Sequence, residues 1–122
     1  MEKIFINHTN HPSARWSAEQ ISAAKIYGEI VDVPFPAIDD EATAQEVRTL
    51  AESNAEKILA LKPAAVLCQG EFNYTFALVE RLKTFGVTVF AATSKRVSVE
   101  EILPDGSTQR VSTFHFVQFR EY

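Results

Sequence analysis

The segment INHTNHPSARWSAEQ, residues 6–20, gathers side chains that could hold a phosphate or move a proton. It contains two of the three histidines of the chain, His8 and His11. Short amides and hydroxyls beside them can donate to a phosphate or read a base edge without adding charge. The candidate ligand-binding residues of this segment are Asn7, Thr9, Asn10, Ser13 and Arg15. The alternative is that they make only local turn hydrogen bonds before a helix.

A second polar cluster, TSKR at residues 93–96, follows the fourth apolar run of the chain. Two hydroxyls and two cations adjoin there, in a protein whose formal net charge is -4. We expect a local cluster of this kind to hold an anionic ligand, with solvated surface charge as the alternative. Its candidates are Thr93 and Ser94 for binding, with Lys95 and Arg96 as cations.

A third candidate is the turn QGEFNYT, residues 69–75, where Gly70 precedes a predicted helix. Free amides at a helix start attract anions, which makes Gln69, Gly70 and Glu71 candidate binding residues. Glu71 would repel a phosphate, so we expect it to complement the helix dipole or to accept from a base amine or a ribose hydroxyl. Since GxGxxG, GxxxxGK[ST] and HExxH are all absent, we expect no cofactor and no metal.

Four other features favour structural roles. Trp16 precedes a capping-box pattern at Ser17 and is expected to pack as a hydrophobic staple. Cys68 lies within an apolar run and is expected to pack rather than react. His115 is interpreted as an interface or core histidine. Asp39 or Asp40 is expected to cap a long helix over residues 41–61.

The elements that must position these residues alternate along the chain. Apolar runs predict strands at 3–7, 30–33, 64–70 and 87–93, separated by three amphipathic helices. Three strand-helix crossovers predict an α/β fold, a Rossmann-like mostly parallel sheet of four strands with three helices. Pro-Asp-Gly at 104–106 between two alternating runs predicts a C-terminal β-hairpin. Ligands bind beyond the carboxyl ends of parallel strands, where all three clusters would lie.

Size and composition predict a single domain over residues 1–122. The hydrophobic content is 46% and the charged content 23%, as in ordinary globular proteins. Without a secretory signal or a long apolar run, and with one cysteine, the chain is expected to be cytoplasmic and not bound to a membrane. Its negative net charge argues against binding to duplex nucleic acid. The last strand has apolar residues on both faces, which suggests cover by a second subunit.

With its Rossmann-like layout, the loop NHTNHPS, the cluster TSKR and the terminal hairpin, the chain resembles the small stand-alone CARF-like proteins of type III CRISPR systems. The resemblance implies a homodimer that binds cyclic oligoadenylate, here cyclic tetra-adenylate, across its two-fold axis in antiviral defence. Some members cleave the ring without metal, switching off the signal, and others sequester it.

Cleavage by a metal-independent ring nuclease requires a ribose 2'-hydroxyl in line with the adjacent phosphate, cations on the developing charge and a proton carrier. The candidates for those roles are His8, His11, Lys95 and Arg96. Two alternatives stay open, since a fold does not determine an activity. The chain could be a non-catalytic nucleotide-binding or sequestering module, or it could bind another phosphorylated metabolite.

Overall fold

The chain alternates between strands and helices and ends in two long strands. The computed structural model describes residues 2–122. The strands are β1 (Ile4–Thr9), β2 (Glu29–Asp32), β3 (Ala65–Gln69), β4 (Val89–Ile102) and β5 (Thr108–Glu121). The α-helices are α1 (Ala18–Lys25), α2 (Ala44–Ala60) and α3 (Phe72–Thr84), with a 3-10 turn at Ser13–Arg15.

All five strands belong to one sheet in the order β2-β1-β3-β4-β5. The first four are parallel, and β5 pairs antiparallel with β4. The predicted α/β class is therefore confirmed. The predicted count of four strands is wrong, because the fourth strand and the first arm of the hairpin are one continuous strand. Residues 89–102 contain no proline or glycine that would end it.

Strand β1 is longer than its apolar run. It continues to Thr9, and its last three residues pair with β3, as Asn7 with Leu67, His8 with Cys68 and Thr9 with Gln69. The prediction that β1 ends at residue 7 is therefore wrong by two residues. Residues 8 and 9, which the sequence assigns to a loop, are instead part of the sheet and are held by its backbone hydrogen bonds. Their side chains therefore point to opposite faces.

Each face of the sheet has its own core. On one face, Ile6, Val66 and Cys68 pack against α2 and α3. On the other, Phe5, Leu67 and Phe90 pack against Ala24 of α1. Trp16 belongs to this second face, with its ring centroid 6.3 Å from that of Phe5 and 6.4 Å from that of Phe119. Trp16 therefore packs against the core, as expected, but its aromatic partners belong to β1 and β5, and the predicted staple on Ile21 stays a prediction.

Side chains cap all three helices. The Ser17 hydroxyl accepts from the Gln20 amide at the start of α1, which is one half of the predicted capping box. Helix α2 begins with a reciprocal capping box between Thr43 and Glu46, so the prediction of an aspartate cap is wrong. Asp39 accepts instead from the Glu41 amide in the preceding turn.

The hairpin turn lies where Pro-Asp-Gly predicts it. The Leu103 amide donates to the Ser107 carbonyl over 2.8 Å, and Gly106 adopts a φ of +86°. This left-handed conformation costs glycine little, which explains the residue at this position. Among residues 2–122, no helix has both the length and the apolar character needed to cross a bilayer.

Candidate functional site

A cleft of about 870 Å³ opens at the carboxyl ends of β1 and β3, beside Ala92 and Ser94 of β4, on the face that carries α1. The first loop contributes Thr9, Asn10, His11 and Arg15. The hairpin contributes Ser94, Phe114, His115 and Phe116. The loop after β1 and the region after residue 93 therefore meet at one site. This is where the topology rule for open α/β sheets places a ligand.

A hydrogen-bond network holds the loop that follows β1, which forms one side of the cleft. The Asn7 amide donates to the His11 carbonyl over 2.9 Å and to the Asp32 carboxylate over 3.1 Å. The Thr9 hydroxyl donates to Asn7 Oδ1 over 2.8 Å and accepts from the His11 amide over 3.1 Å. The other Asp32 oxygen accepts from the Ser13 amide. Asn7 of β1 and Asp32 of β2 thus position the loop, and Ser13 is held through its backbone amide.

The side chains that the network leaves available are those of Asn10, His11 and Arg15. All three are exposed and line the cleft. Within residues 2–122, none of the three side chains forms a hydrogen bond or an ion pair. The loop therefore presents an amide, an imidazole and a guanidinium to a ligand, on a backbone that hydrogen bonds tie to β1 and β2.

His8 lies on the other face of the sheet, away from this cleft. It is 1% exposed, and its ring lies 5.3 Å from Phe35 and 5.8 Å from Tyr74, measured between centroids. Burial lowers the pKa of its imidazole, and this effect outweighs the hydrogen bond that the ring donates to the Val33 carbonyl, which raises the pKa. Since His8 and Thr9 are neighbours in a strand, only one of them can face the cleft.

Strands β3 and β4 diverge beyond Leu67 and Phe90, where their ladder ends. The Gln69 side chain fills the gap, because Oε1 accepts from the Ala92 amide over 2.8 Å and Nε2 donates to the Ala92 carbonyl over 3.3 Å. Gln69 was predicted to bind ligand. It lines the cleft, but both of its polar atoms pair with the backbone, so its observed role is to shape the floor.

The turn after β3 has structural roles for both of its predicted site residues. A Cβ atom on Gly70 would lie 2.2 Å from the Phe35 ring, so the close approach of that ring requires glycine. Glu71 caps α3, with its carboxylate accepting from the Tyr74 amide over 2.7 Å. This carboxylate occupies the helix start that a phosphate would use. Neither residue lines the cleft.

The cluster TSKR is part of β4 rather than a loop, so the predicted loop at 93–96 is wrong. Its side chains alternate between the two faces of the hairpin. Ser94 lines the cleft, whereas the Thr93 hydroxyl donates to the Gln118 carbonyl. Lys95 pairs with His115 along the ladder, and the Arg96 guanidinium donates to the Ser112 hydroxyl over 3.1 Å. The structure thus brings only one of these four residues to the cleft wall.

A β-bulge supplies the aromatic wall that sequence reasoning missed. Thr93 pairs with Gln118 and Ser94 with Phe116, which leaves Val117 as the extra residue of β5. In a regular strand, Phe116 and Phe119 would point to opposite faces. The bulge shifts the alternation of side chains by one residue, so that both rings lie on one face with their centroids 5.0 Å apart. Phe114 follows on the same face and is 70% exposed. The feature of the sequence that indicates this bulge is that both odd and even positions of the strand carry apolar side chains.

The cysteine of the chain is not at the cleft, and the described residues form no metal-binding cluster. Cys68 is buried on the opposite face, and burial raises the pKa of its thiol to about 12, so its predicted packing role is confirmed. No group of three or more His, Cys, Asp or Glu side chains within residues 2–122 is arranged to hold a metal ion. The one carboxylate that lines the cleft is that of Glu19.

Comparison with known proteins gives a match at the level of the family. A family model described as the uncharacterized protein MJ1673 family matches residues 3–120, which is nearly the whole chain. No curated protein matches the sequence.

Proposed function

This chain belongs to the uncharacterized protein MJ1673 family, and we propose that it binds an adenine nucleotide of the cyclic oligoadenylate class in the cleft at the carboxyl ends of β1 and β3, beside Ala92 and Ser94 of β4. The observation that carries the proposal is the composition of the cleft. An aromatic wall from the hairpin faces a rigid loop whose amide, imidazole and guanidinium have no partners within residues 2–122.

Recognition of the phosphates falls to the loop. The Arg15 guanidinium is a planar donor that can bind two phosphate oxygens at once, and His11 lies four residues before it. The Ser94 hydroxyl lies on the facing wall. Glu19 limits how far a highly charged group can extend along α1. These positions favour a phosphodiester, with one negative charge per linkage, over a triphosphate.

Recognition of the bases falls to the hairpin. Phe114 exposes 70% of its surface beside the cleft, and Phe116 is half-buried against Phe119. An exposed aromatic ring next to unpartnered donors provides a stacking surface for a base. Asn10 and Gln20 line the same space and carry amide groups that can pair with an adenine edge.

The specific class, a cyclic oligoadenylate, comes from the resemblance of the loop and hairpin to CARF-like proteins. A cleft of about 870 Å³ lies near the upper end of small-molecule sites, and residues of the hairpin form one of its walls. That shape suits a ligand that extends past one subunit better than a mononucleotide enclosed within it.

The proposal is binding rather than turnover. Of the four residues predicted to be catalytic, His11 alone lines the cleft, because His8 is buried on the other face and Lys95 and Arg96 lie along the hairpin. His11 is therefore the residue to substitute if product appears.

The test uses Trp16, the one tryptophan of the chain, which lines the cleft and reports on binding by its fluorescence. Cyclic tetra-adenylate, cyclic hexa-adenylate and AMP are titrated in EDTA, and the mixtures are analysed for products by chromatography. We expect a saturable change with a cyclic oligoadenylate, and Arg15→Ala should weaken it at least about tenfold. Arg48→Ala, on the exposed side of α2, is the matched control.

Failure of every adenylate to bind would overturn the proposal and leave another phosphorylated metabolite to be sought. If Arg15→Ala and Arg48→Ala lost affinity equally, the ligand would not be bound in this cleft. Linear products that disappear in His11→Ala would extend the function to ring cleavage.

A further inference from the structure

The outer edge of β5 is free. One edge of this strand pairs with β4, and no strand within residues 2–122 pairs with the other. The edge is 14 residues long and contains no proline or lysine, two of the residues with which proteins protect such edges. The part of this edge before the bulge at Val117 is regular and is a template for another strand.

The backbone groups that face outward follow from the hairpin turn. The Leu103 amide donates to the Ser107 carbonyl, which makes residues 103 and 107 a hydrogen-bonded pair. Alternation along an antiparallel ladder then directs the N–H and C=O groups of residues 109, 111 and 113 toward β4. Those of the even-numbered residues from Thr108 to Phe116 point away from β4 and are available to a partner.

The bulge at Val117 ends this straight segment, so it runs from Thr108 to Phe116 and its midpoint is Ser112. A copy of the segment laid antiparallel about Ser112 places Arg110 opposite Phe114 and Thr108 opposite Phe116. No two like charges oppose each other, and a guanidinium lies beside an aromatic ring on both sides of the axis. The segment is therefore complementary to itself.

We propose that a second copy of this chain pairs with the free edge of β5, antiparallel and centred on Ser112, to form a symmetric dimer with one continuous ten-stranded sheet. An isologous interface of this kind is closed and leaves no further edge of β5 free. It also covers Phe114 and its neighbours, which are exposed in the single chain.

The dimer changes the cleft. Because the two-fold axis of an antiparallel strand pair is perpendicular to the sheet, both clefts open on the same side and flank the new pairing. Arg110 and Phe114 share a face of β5, so Arg110 of the second copy would lie beside Phe114 on the cleft side. Each cleft thus gains a cation that its own chain does not place there. The interface itself does not rest on the ligand proposed above.

The test is cysteine cross-linking without ligand. In a hydrogen-bonded antiparallel pair, the Cα atoms of opposed residues are about 5.5 Å apart, which a disulfide can span. Ser112→Cys should therefore form a covalent dimer under mild oxidation. Gln109→Cys is the matched control, since its two copies would lie about 20 Å apart along the strands. The native Cys68 is buried and does not compete.

Sedimentation equilibrium of the unmodified chain accompanies the cross-linking. We expect a dimer at micromolar concentrations and selective cross-linking at position 112. A monomer, or a dimer that cross-links equally at both positions or at neither, would overturn the proposal. Because no nucleotide is present, this result is separate from the outcome of the ligand titration.

Discussion

The Nε2 atom of His8 lies 2.7 Å from the hydroxyl oxygen of Tyr74, although 66 residues separate them in the chain. The Val33 carbonyl lies 2.8 Å from Nδ1 and can only accept, so Nδ1 carries the proton. With Nδ1 as donor, the neutral ring accepts at Nε2 from the Tyr74 hydroxyl, whose oxygen accepts in turn from Asn54 over 3.0 Å. A buried polar chain therefore joins β1, α2 and α3 behind the sheet.

Removing the Tyr74 hydroxyl should destabilise the fold. Tyr74→Phe leaves His8 Nε2 and the Asn54 amide without this partner, and an unsatisfied buried polar group costs about 1–3 kcal/mol. Urea denaturation measures the free energy of unfolding. Tyr27→Phe, at a half-buried ring on the other face, is the control and should lie close to the unmodified protein. Equal effects of the two substitutions would contradict this role.

Stability should depend on the protonation of His8. Burial lowers its pKa in the folded state below the ordinary value of 6.5, so below that pH the unfolded chain binds a proton that the folded chain does not. The contribution is complete above about pH 6.5 and is lost as the pH falls, with a slope of at most about 1.4 kcal/mol per pH unit. Urea denaturation at a series of pH values measures this contribution when His8→Gln is compared with His115→Gln. The part of the slope that comes from His8 should be lost in His8→Gln and kept in His115→Gln.

The thiol of Cys68 should be unreactive in the folded protein. Burial raises its pKa to about 12, so the reactive thiolate does not form at neutral pH. The side chain also has no exposed surface that a reagent could reach. An aromatic disulfide reagent at mildly alkaline pH should react with less than one equivalent until urea is added. Gln109→Cys supplies an exposed thiol as the control. Rapid labelling of the native chain would show that this face of the sheet opens.

Deleting Val117 should preserve the aromatic wall. Without the extra residue, Phe116 follows Gln118 in a regular ladder and keeps its partner Ser94. We expect a change of less than about 1 kcal/mol in unfolding free energy and an unchanged nuclear Overhauser contact between Phe116 and Phe119. Deleting Thr113 instead shifts the distal hairpin by one residue and turns its side chains to the opposite face. Loss of the aromatic contact in the Val117 deletion would disprove the bulge assignment.

Local patterns in the sequence determine the class of fold. Apolar runs such as IFI at 4–6 and AVLC at 65–68 suit strands buried on both faces, and amphipathic segments between them suit crossover helices. The cap at Ser17 and the turn at Gly106 are also local, because each satisfies backbone groups within a few residues. These features depend on short-range chemistry that a single sequence displays.

The tertiary structure alone decides which residues line the cleft. Two histidines three residues apart, His8 and His11, lie on opposite sides of the sheet because β1 continues through one and ends before the other. The Gln69 side chain pairs with Ala92, and the Val117 bulge brings Phe114 and Phe116 to the cleft. Each outcome depends on which strand lies beside which and in what register. Contacts between residues distant in sequence set that register, so the residue types that could do chemistry were visible in the sequence while the face that each one occupies was not.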